Sequence, residues 1–571
     1  MKRFRPISFS FLLIFVSALT AGFLPLSLAG CRTGPDAVPA ESGSPAAETA
    51  ENPDLPEASD PSDPSDSPGA AVFADSTTMF NLRVNREKAT EEALAVALCY
   101  DGVELPRAGK VYYLPVEEDF PAENLLRLSI RAAGDNQVTG TLYIDSHLER
   151  IGILPLLTHN THTDLYYCTD EVYVSLELCF TTLPVLHADM KRAALTREDR
   201  ACSFSLWEAK NGTVRRTDSP AAIRIRGASS SSLAKTGFKL SLLDGEGNPN
   251  KLPLLGMRRD DDWILYASYS DNAHVRDAVG WHLWQKMAES AGLEPSGALE
   301  VRWVELILAD KYYGFYLMME QMDQKTLGLD AAKGDSLFKC ISWDVPAAAD
   351  VARLTNRSEA FSSLERKDPE REEIPADSAS AGGWKDMADF VGLCYETSGE
   401  EFARQAEAIL NKEEILEYWL FLNLSMAADN TWKNTYYAVM DGKVSAYPWD
   451  LDITFGLGWN GDFANNYLYE QPGMDTRTYD FQAGRRLIKY VAGCGDYVRS
   501  RYETLKAAGI CSSDALIADA EEQWAILHNS GAWARNLERW PSVSTTDSLD
   551  YFKKTVRTHE AWFEEYLKTL P

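Results

Sequence analysis

The chain has 571 residues, 45% of them hydrophobic and 11% aromatic, which is ordinary globular material. A chain of this length forms about two to four domains. Its 85 acidic residues outnumber 56 lysines and arginines, so the formal net charge is −29 at pH 7. A body this acidic repels phosphate backbones, which argues against sequence-independent nucleic-acid binding. We therefore expect no nucleic-acid partner, and we attribute the charge to solubility.

Residues 1–30 have the layout of a bacterial lipoprotein signal. A short basic start precedes the apolar run from Phe9 to Leu28, and Leu28-Ala29-Gly30-Cys31 ends the segment. A charged start, an apolar middle and a small-residue exit are typical of a secretory signal peptide. The cysteine after the small residues predicts lipidation of Cys31. The alternatives are an ordinary signal peptide or a lone transmembrane anchor. We expect an exported lipoprotein, membrane-anchored by its lipid and facing outside the cytoplasm.

Residues 31–71 predict a tether that begins with the lipidated cysteine. The run from Glu41 to Pro68 is dominated by Pro, Ser, Ala, Asp and Glu, and repeats the triplet Asp-Pro-Ser. Such a segment has too little apolar surface to offset the entropy lost on ordering. We therefore expect it to be disordered. The cysteines beyond Cys31 form no C-x-x-C pair, so a zinc site is not expected, and disulfides and buried thiols both stay open.

Residues 72–182 predict a small all-β domain. Alternating or β-branched runs such as Leu126–Ile130 and Val172–Leu176 are separated by turn formers. Short strands at this spacing are typical of a sandwich-like domain. No polar constellation in this region suggests chemistry, so we interpret it as an accessory domain that acts as a spacer or a binding module.

From residue 183 to residue 571 the pattern is that of an α+β domain. Strand-like and helical segments alternate up to about residue 323, and helices dominate from about residue 324. Within the first part, Val275, Val279, Leu283 and Met287 recur every four residues and predict a helix. A mixed sheet followed by a helical half favours a two-lobed enzyme. We place its N-lobe at 183–323 and its C-lobe at 324–571.

Several blocks in this domain carry a family resemblance. In chain order they are Ile223–Ser230, Lys235, Phe238–Leu242, Leu255–Met257, Asp262–Asp271 with Arg276, Val304–Gln321, Asp429–Asn434 and Pro448–Gly456. Through these blocks the sequence resembles the CotH (spore coat protein H) kinase family, in a lipid-anchored bacterial form. That resemblance implies an atypical two-lobed protein-kinase-like fold. It also implies transfer of the ATP γ-phosphate, with Mg²⁺ or Mn²⁺, to Ser or Thr of exported, spore-coat or envelope proteins.

The nucleotide-binding residues are expected in the first blocks. A turn of glycine and small hydroxyl residues lets backbone N–H groups approach phosphate oxygens. The strand Trp263–Tyr269 contains no lysine, so a phosphate-binding lysine has to come from the region before it, Lys235 first and Lys239 second. Either can instead be a solvated charge. Near Glu320 the backbone of a hinge would meet adenine, although its own carboxylate fits a structural role. The predicted nucleotide contacts are Arg226, Gly227, Ser229, Ser230, Lys235, Lys239 and Glu320.

The chemistry is expected in the last two blocks. Asp429 and Asn434 have the Asp-x4-Asn spacing of a kinase catalytic loop, in which the Asp orients the acceptor hydroxyl and the Asn helps hold a metal. A short strand then leads to Asp450, with Asp452 two residues on. Carboxylates are the ligands that Mg²⁺ prefers. We predict Asp429 as the catalytic residue and Asn434, Asp450 and Asp452 as metal ligands. The alternative is that Asp429 caps a helix and Asp450 ends a surface strand.

Three functions follow from these predictions. The first is an ATP-dependent protein kinase with an exported substrate. The second is a kinase-fold scaffold or adhesion lipoprotein of the cell envelope without catalysis, because a fold does not guarantee a function. The third, carbohydrate binding, rests only on the 15 Trp and 25 Tyr residues. The intact set of Asp429, Asn434, Asp450 and Asp452 favours the kinase, since a scaffold has no need of all four.

Overall fold

The computed structural model of the protein describes residues 70–132, 140–190, 195–371, 374, 383–458, 481–543 and 545–571. The predicted signal peptide, Cys31 and nearly all of the predicted tether lie outside the described residues. No helix in the described part of the chain is long and apolar enough to cross a membrane.

The first described region is rich in strands, as the alternating runs predict. One mixed sheet has the order β1-β8-β9-β10-β6-β5 with β2 on β10, and a smaller one has the order β4-β3-β7. Four short helices and three parallel pairs, β1–β8, β2–β10 and β6–β10, distinguish it from a purely antiparallel sandwich. The elements are β1 Ala71–Ala74, α1 Ser76–Val84, β2 Glu87–Lys88, α2 Glu91–Leu94, β3 Val96–Tyr100, β4 Val103–Glu104, β5 Arg107–Ala108, β6 Val111–Pro115, β7 Leu128–Ala132, β8 Thr141–Asp145, α3 His147–Ile151, α4 Leu154–Thr158, β9 Thr163–Cys168 and β10 Val172–Thr181.

The next region is a closed barrel. Its strands follow the order β11-β12-β13-β14-β17-β19-β18, and β11 closes the ring by pairing in parallel with β18. The positive φ angles of Asn211 and Gly212 form the tight turn between β12 and β13. Beside the barrel runs α5, which ends at Gly292 in the left-handed conformation. The elements are β11 Val185–Asp189, β12 Arg200–Lys210, β13 Thr213–Arg226, β14 Gly237–Leu242, β15 Leu252–Pro253, β16 Arg259–Asp260, β17 Asp262–Tyr266, α5 Arg276–Ala291, β18 Val301–Leu308 and β19 Lys311–Glu320.

The last region combines a sheet of order β21-β22-β20-β23-β24 with several helices. Helix α10 is at its centre, with every residue from Glu414 to Ser425 buried. The elements are α6 Gln324–Leu327, β20 Ser336–Cys340, α7 Ala348–Val351, β21 Ala360–Phe361, β22 Leu364–Asp368, α8 Trp384–Val391, α9 Gly399–Ile409, α10 Lys412–Ser425, β23 Thr435–Met440, β24 Lys443–Pro448, α11 Gln482–Tyr490, α12 Cys494–Ala507, α13 Ser513–Asn529, α14 Ala532–Arg539 and α15 Asp550–Leu567.

One hydrophobic core joins α5 to the last region. The indole ring of Trp284 on α5 packs edge-on against Tyr418 and Phe421 of α10, with ring centroids 6.1 and 5.4 Å away. Both aromatic partners are fully buried, as is Trp284 itself. Because this packing fixes α5 against α10, the first turn of α5 is held close to the segment that follows β24. That position matters for the site described below.

The strand-rich first region shares buried contacts with the rest of the chain. Trp207 of the barrel packs into the core of the first region. Arg535 on α14 forms an ion pair with Glu305 on β18 at 2.8 Å, and its guanidinium also donates to the carbonyl oxygen of Phe180. Removing one partner of such a buried pair costs about 3–5 kcal/mol. Glu305 is therefore a structural residue that ties β18 to the C-terminal helices.

The cysteine residues of the described chain are free thiols, which decides one question that the sequence left open. Burial raises the pKa of most of these thiols, for instance that of Cys179 to about 11. They therefore behave as small apolar core residues. The free cysteines are Cys99, Cys168, Cys179, Cys202, Cys340, Cys394, Cys494 and Cys511.

Candidate functional site

Carboxylates converge at the end of β24. Asp450 follows the strand with a left-handed φ of 61°, which turns the chain sharply, and Asp452 lies buried two residues on. Burial raises the pKa of Asp452 well above its ordinary value, and the charges of Asp450 and Asp429 raise it further. Hydrogen bonds from Tyr266 and Ser270 to Asp452 act in the opposite direction. Asp429, Asp450 and Asp452 therefore lie close enough for their charges to interact.

A further carboxylate comes from the first turn of α5. Asp277 is 2% exposed, and its Oδ1 accepts a hydrogen bond from the N–H of Leu451 at 2.9 Å. Burial and then the charges of Asp452 and Asp450 raise its pKa well above the ordinary value. Its second oxygen, Oδ2, has no hydrogen-bond partner among the described residues. Sequence reasoning did not find Asp277, although it directly follows Arg276 of a matching block.

The predicted pair Asp429 and Asn434 is in direct contact. Oδ2 of Asp429 accepts hydrogen bonds from Nδ2 of Asn434 at 2.7 Å and from Nζ of Lys433 at 2.8 Å. Burial raises the pKa of Asp429, while the charge of Lys433 opposes that shift. Asn434 has a φ of 57°, so the loop curls back on itself and brings the two side chains together. The catalytic-loop spacing thus corresponds to a closed hydrogen-bonded turn.

Two cations face these carboxylates. The guanidinium carbon of Arg226 lies 5.1 Å from the ring centroid of Trp449, and Nζ of Lys339 lies 4.9 Å from the same centroid. Lys339 pairs in register with Tyr436 across β20 and β23. Burial and the charge of Arg226 lower the pKa of Lys339 to about 7, against the opposing charge of Asp450. Within the described residues Lys339 forms no ion pair. Its amine is therefore available to an anionic ligand, whose negative charge would favour the protonated form.

The donor set suits a divalent cation bound together with phosphate. No three His, Cys, Asp or Glu side chains among the described residues form a ready-made metal site. Mg²⁺ commonly takes only one or two protein carboxylates and completes its shell with water and phosphate oxygens. Asp450 and Asp452 supply two, and their mutual repulsion is what a bound cation relieves. The residues present therefore fit Mg²⁺ or Mn²⁺ carried in with a nucleotide.

A comparison with protein families identifies the group to which this arrangement belongs. The family model described as CotH kinase protein matches residues 223–563, which is more than half of the chain. The chain belongs to the CotH kinase family. No curated protein matches it. The matched range begins inside β13 and ends inside α15, so it contains every residue of the site but not β11 and β12 of the barrel. Family membership indicates a kinase-type transferase.

The predicted nucleotide loop of the CotH kinase region follows β13 as expected. Gly227 has a φ of 105°, and a Cβ there would collide with the hydroxyl of Ser230. Glycine is therefore required at this turn. Ser229 begins a short 3₁₀ turn, Ser229–Ser232, and the side chain of Ser230 is exposed. The loop starts next to Arg226, whose position over Trp449 brings it to the carboxylates.

The structure places the two predicted phosphate-binding lysines of the CotH kinase region in contacts within the protein. Lys235 is completely buried, and its Nζ donates to the carbonyl oxygen of Phe315 at 2.5 Å. Burial lowers its pKa well below the ordinary value, so the ammonium is part of the barrel interior. Lys239 forms an ion pair with Asp262 at 3.0 Å and is half-buried. A local sequence pattern does not show that Lys235 and Lys239 each contact a polar group of the protein, whereas Lys339 forms no ion pair within the described residues.

Glu320 is also held in place. Its Oε2 accepts a hydrogen bond from the N–H of Glu300 at 3.2 Å, and its Oε1 lies 3.2 Å from Nε of Arg258. Burial raises its pKa. The carboxylate of Glu320 thus has the structural role that the sequence suggested, and any nucleotide contact at this position belongs to the backbone.

Proposed function

We propose that this protein is an exported, lipid-anchored protein kinase of two-lobed architecture that transfers the γ-phosphate of ATP to Ser or Thr of exported, spore-coat or envelope proteins. One observation carries this proposal: the buried Asp452 and the partly buried Asp429 and Asp450 lie close to Arg226 and Lys339. Phosphoryl transfer needs phosphates held, charge neutralised and the acceptor hydroxyl oriented rather than covalent help from the protein. The arrangement provides residues for each of these tasks.

The roles follow from the positions of the side chains. Asp450 and Asp452, with the amide of Asn434, would hold Mg²⁺ or Mn²⁺, which when bound neutralises phosphate charge. Lys339 and Arg226 would contact the phosphate oxygens. Asp429 orients the acceptor hydroxyl and takes its proton as the oxygen–phosphorus bond forms. The bond between the γ-phosphorus and the bridging oxygen breaks, and ADP leaves with that oxygen.

The direct test measures binding and transfer with the purified protein. Labelled ATP, Mg²⁺ or Mn²⁺, and a Ser-rich protein acceptor are combined, and label on the acceptor is counted. We expect metal-dependent nucleotide binding and acid-stable label on Ser or Thr. Metal-dependent binding without transfer to any acceptor, including the protein itself, would favour the alternative of a non-catalytic envelope scaffold. Absence of both would contradict the kinase proposal.

Lys339→Met is expected to weaken ATP binding. The substitution keeps the length of the side chain but removes the charge that faces the phosphates, and a hydrogen bond to a charged group contributes about 1.5–3 kcal/mol, or about 10- to 150-fold in affinity. Lys339→Arg keeps the charge and is expected to retain more binding. The measurement is titration with a fluorescent ATP analogue in the presence of Mg²⁺.

The matched control is Lys239→Met, which removes a lysine that is already paired with Asp262. We expect it to change ATP affinity little. If Lys239→Met weakens binding and Lys339→Met does not, the phosphate-binding lysine is the one that the sequence suggested.

Cys31→Ser is expected to move the protein from the membrane fraction to a soluble or unprocessed form, because lipidation requires the thiol. A single acyl chain binds membranes only marginally, so stable retention depends on the several chains that such lipoproteins carry. Fractionation of cells fed a labelled fatty acid measures this. A wild-type protein that takes up no label and fractionates like the variant would contradict the anchor.

A further inference from the structure

The first turn of α5 holds the segment that carries the metal-binding aspartates. Asp277 accepts the hydrogen bond from the N–H of Leu451, the residue between Asp450 and Asp452. One residue earlier, Nε of Arg276 donates to the carbonyl oxygen of Thr454 at 3.1 Å. These two bonds attach both ends of the segment after β24 to the start of one helix.

That first turn is itself fixed. The backbone N–H of Arg276 donates to Oδ2 of Asp271 at 2.7 Å, and its guanidinium forms an ion pair with Oδ1 of the same carboxylate. Asp271 is fully buried, and Arg276 is 1% exposed. Since Trp284 holds the other part of α5 against α10, the helix is a rigid support for the segment that it contacts.

A glycine in α5 brings the helix still closer to the segment. A Cβ added at Gly280 would lie 2.9 Å from Cδ1 and 3.1 Å from Cβ of Leu451. Glycine in a helix interior lowers helix stability relative to alanine, so the position is explained by this close approach. Leu451 is thus held by a hydrogen bond at its backbone and by tight packing at its side chain.

The segment needs such support. Asp450 has a φ of 61°, a conformation that non-glycine residues disfavour, and it stands next to another carboxylate of the same charge. Both features push the segment toward other conformations when no ligand is bound. Residues held in sparsely populated conformations persist when the surrounding structure fixes them.

We propose that Asp277 is a positioning residue of the metal–nucleotide site, which acts by fixing the Asp450–Asp452 segment through the N–H of Leu451. This inference rests on the proposed function. Asp277 is assigned the outer position because its Oδ1 already accepts the hydrogen bond from the N–H of Leu451. Its role is that of an outer partner which orients the metal ligands.

The test compares two variants of the full-length protein by the amount of Mn²⁺ bound to protein, measured by equilibrium dialysis against a protein-free chamber that contains the same Mn²⁺ and ATP. Asp277→Ala removes the acceptor, and we expect about 10- to 100-fold weaker Mn²⁺ binding, the usual effect of losing an outer partner. Asp277→Asn keeps an amide oxygen that accepts the same hydrogen bond, and we expect it to retain most of the affinity. Lys286→Ala, exposed on the same helix, is the control.

Gly280→Ala disturbs Leu451 without touching Asp277. We expect weaker Mn²⁺ binding and at most a modest fall in the melting temperature, because the gain in helix stability from alanine offsets part of the cost of displacing Leu451. This variant keeps the test decisive if Asp277→Ala does not fold.

The outcomes distinguish failure of the proposed function from failure of the positioning role of Asp277. If the wild-type protein binds no Mn²⁺ with ATP, the proposed function fails. If it does bind, and Asp277→Ala and Gly280→Ala bind equally well, the positioning role is wrong. If Asp277→Asn loses as much affinity as Asp277→Ala, the negative charge is what matters, and the hydrogen-bond role is overturned.

Discussion

Asp450→Asn is expected to weaken Mg²⁺-dependent ATP binding by at least about tenfold. Loss of a residue that only orients a metal ligand already lowers metal affinity by about 10- to 100-fold, and loss of a ligand should cost no less. The substitution keeps the size of the side chain and removes its charge. Asp450 is partly exposed and comes directly at the strand end, so the proposed metal could reach it together with the nucleotide. Calorimetric titration of ATP with and without Mg²⁺ measures the effect.

The matched control for this variant is Asp441→Asn. Asp441 is exposed in the turn that precedes β24, also has a positive φ of 50°, and differs mainly in lying at the opposite end of the strand. We expect its substitution to leave ATP binding unchanged. Equal effects of the two variants, or no effect of Asp450→Asn, would mean that Asp450 is a surface residue and not a metal ligand.

Asp429→Asn is expected to separate binding from catalysis. Its carboxylate is held by Lys433 and Asn434, and in the proposed mechanism it faces the acceptor hydroxyl rather than the phosphates. We expect nearly unchanged ATP binding and transfer slower by about 10²- to 10⁴-fold, the usual contribution of a positioned acid–base group. Single-turnover transfer from labelled ATP at saturating nucleotide, beside an equilibrium binding curve, gives the two quantities.

A different pattern in this pair of measurements would change the assignment. If Asp429→Asn weakens ATP binding as much as Asp450→Asn does, then Asp429 belongs with the metal ligands, and the acceptor hydroxyl is oriented by another group. If neither variant changes binding or transfer, the carboxylate cluster has no role in phosphoryl transfer, and the scaffold hypothesis is favoured.

The sequence predicted the features that depend on near neighbours. The four-residue recurrence from Val275 to Met287 corresponds to α5, because apolar residues at this spacing lie on one face of a helix and are buried together. The Asp-x4-Asn spacing corresponds to a contact between Asp429 and Asn434, because one tight turn is enough to close it. The strand before Asp450 was likewise readable from its own residues.

Only the tertiary structure decided which lysine side chains are available to a phosphate ligand. Lys235 and Lys239 precede or lie on a barrel strand, and only closure of the barrel shows that one ammonium is enclosed and the other paired. Lys339 comes from a strand in a separate sheet, and it reaches Trp449 because β20 pairs with β23 and β23 with β24. No local pattern contains that pairing.

The same division applies to the segment between the aspartates. By itself the sequence determined that two carboxylates follow a strand and that a catalytic-loop motif precedes them in a chain of the CotH kinase type. Only the tertiary structure decided that Asp277, distant in sequence, bonds to Leu451 between them. The physical reason is that the hydrogen bond from Leu451 to Asp277 and the close approach of Gly280 to Leu451 both depend on where α5 packs. That position is set by the buried aromatic side chains of α5 and α10 together, and not by either helix alone.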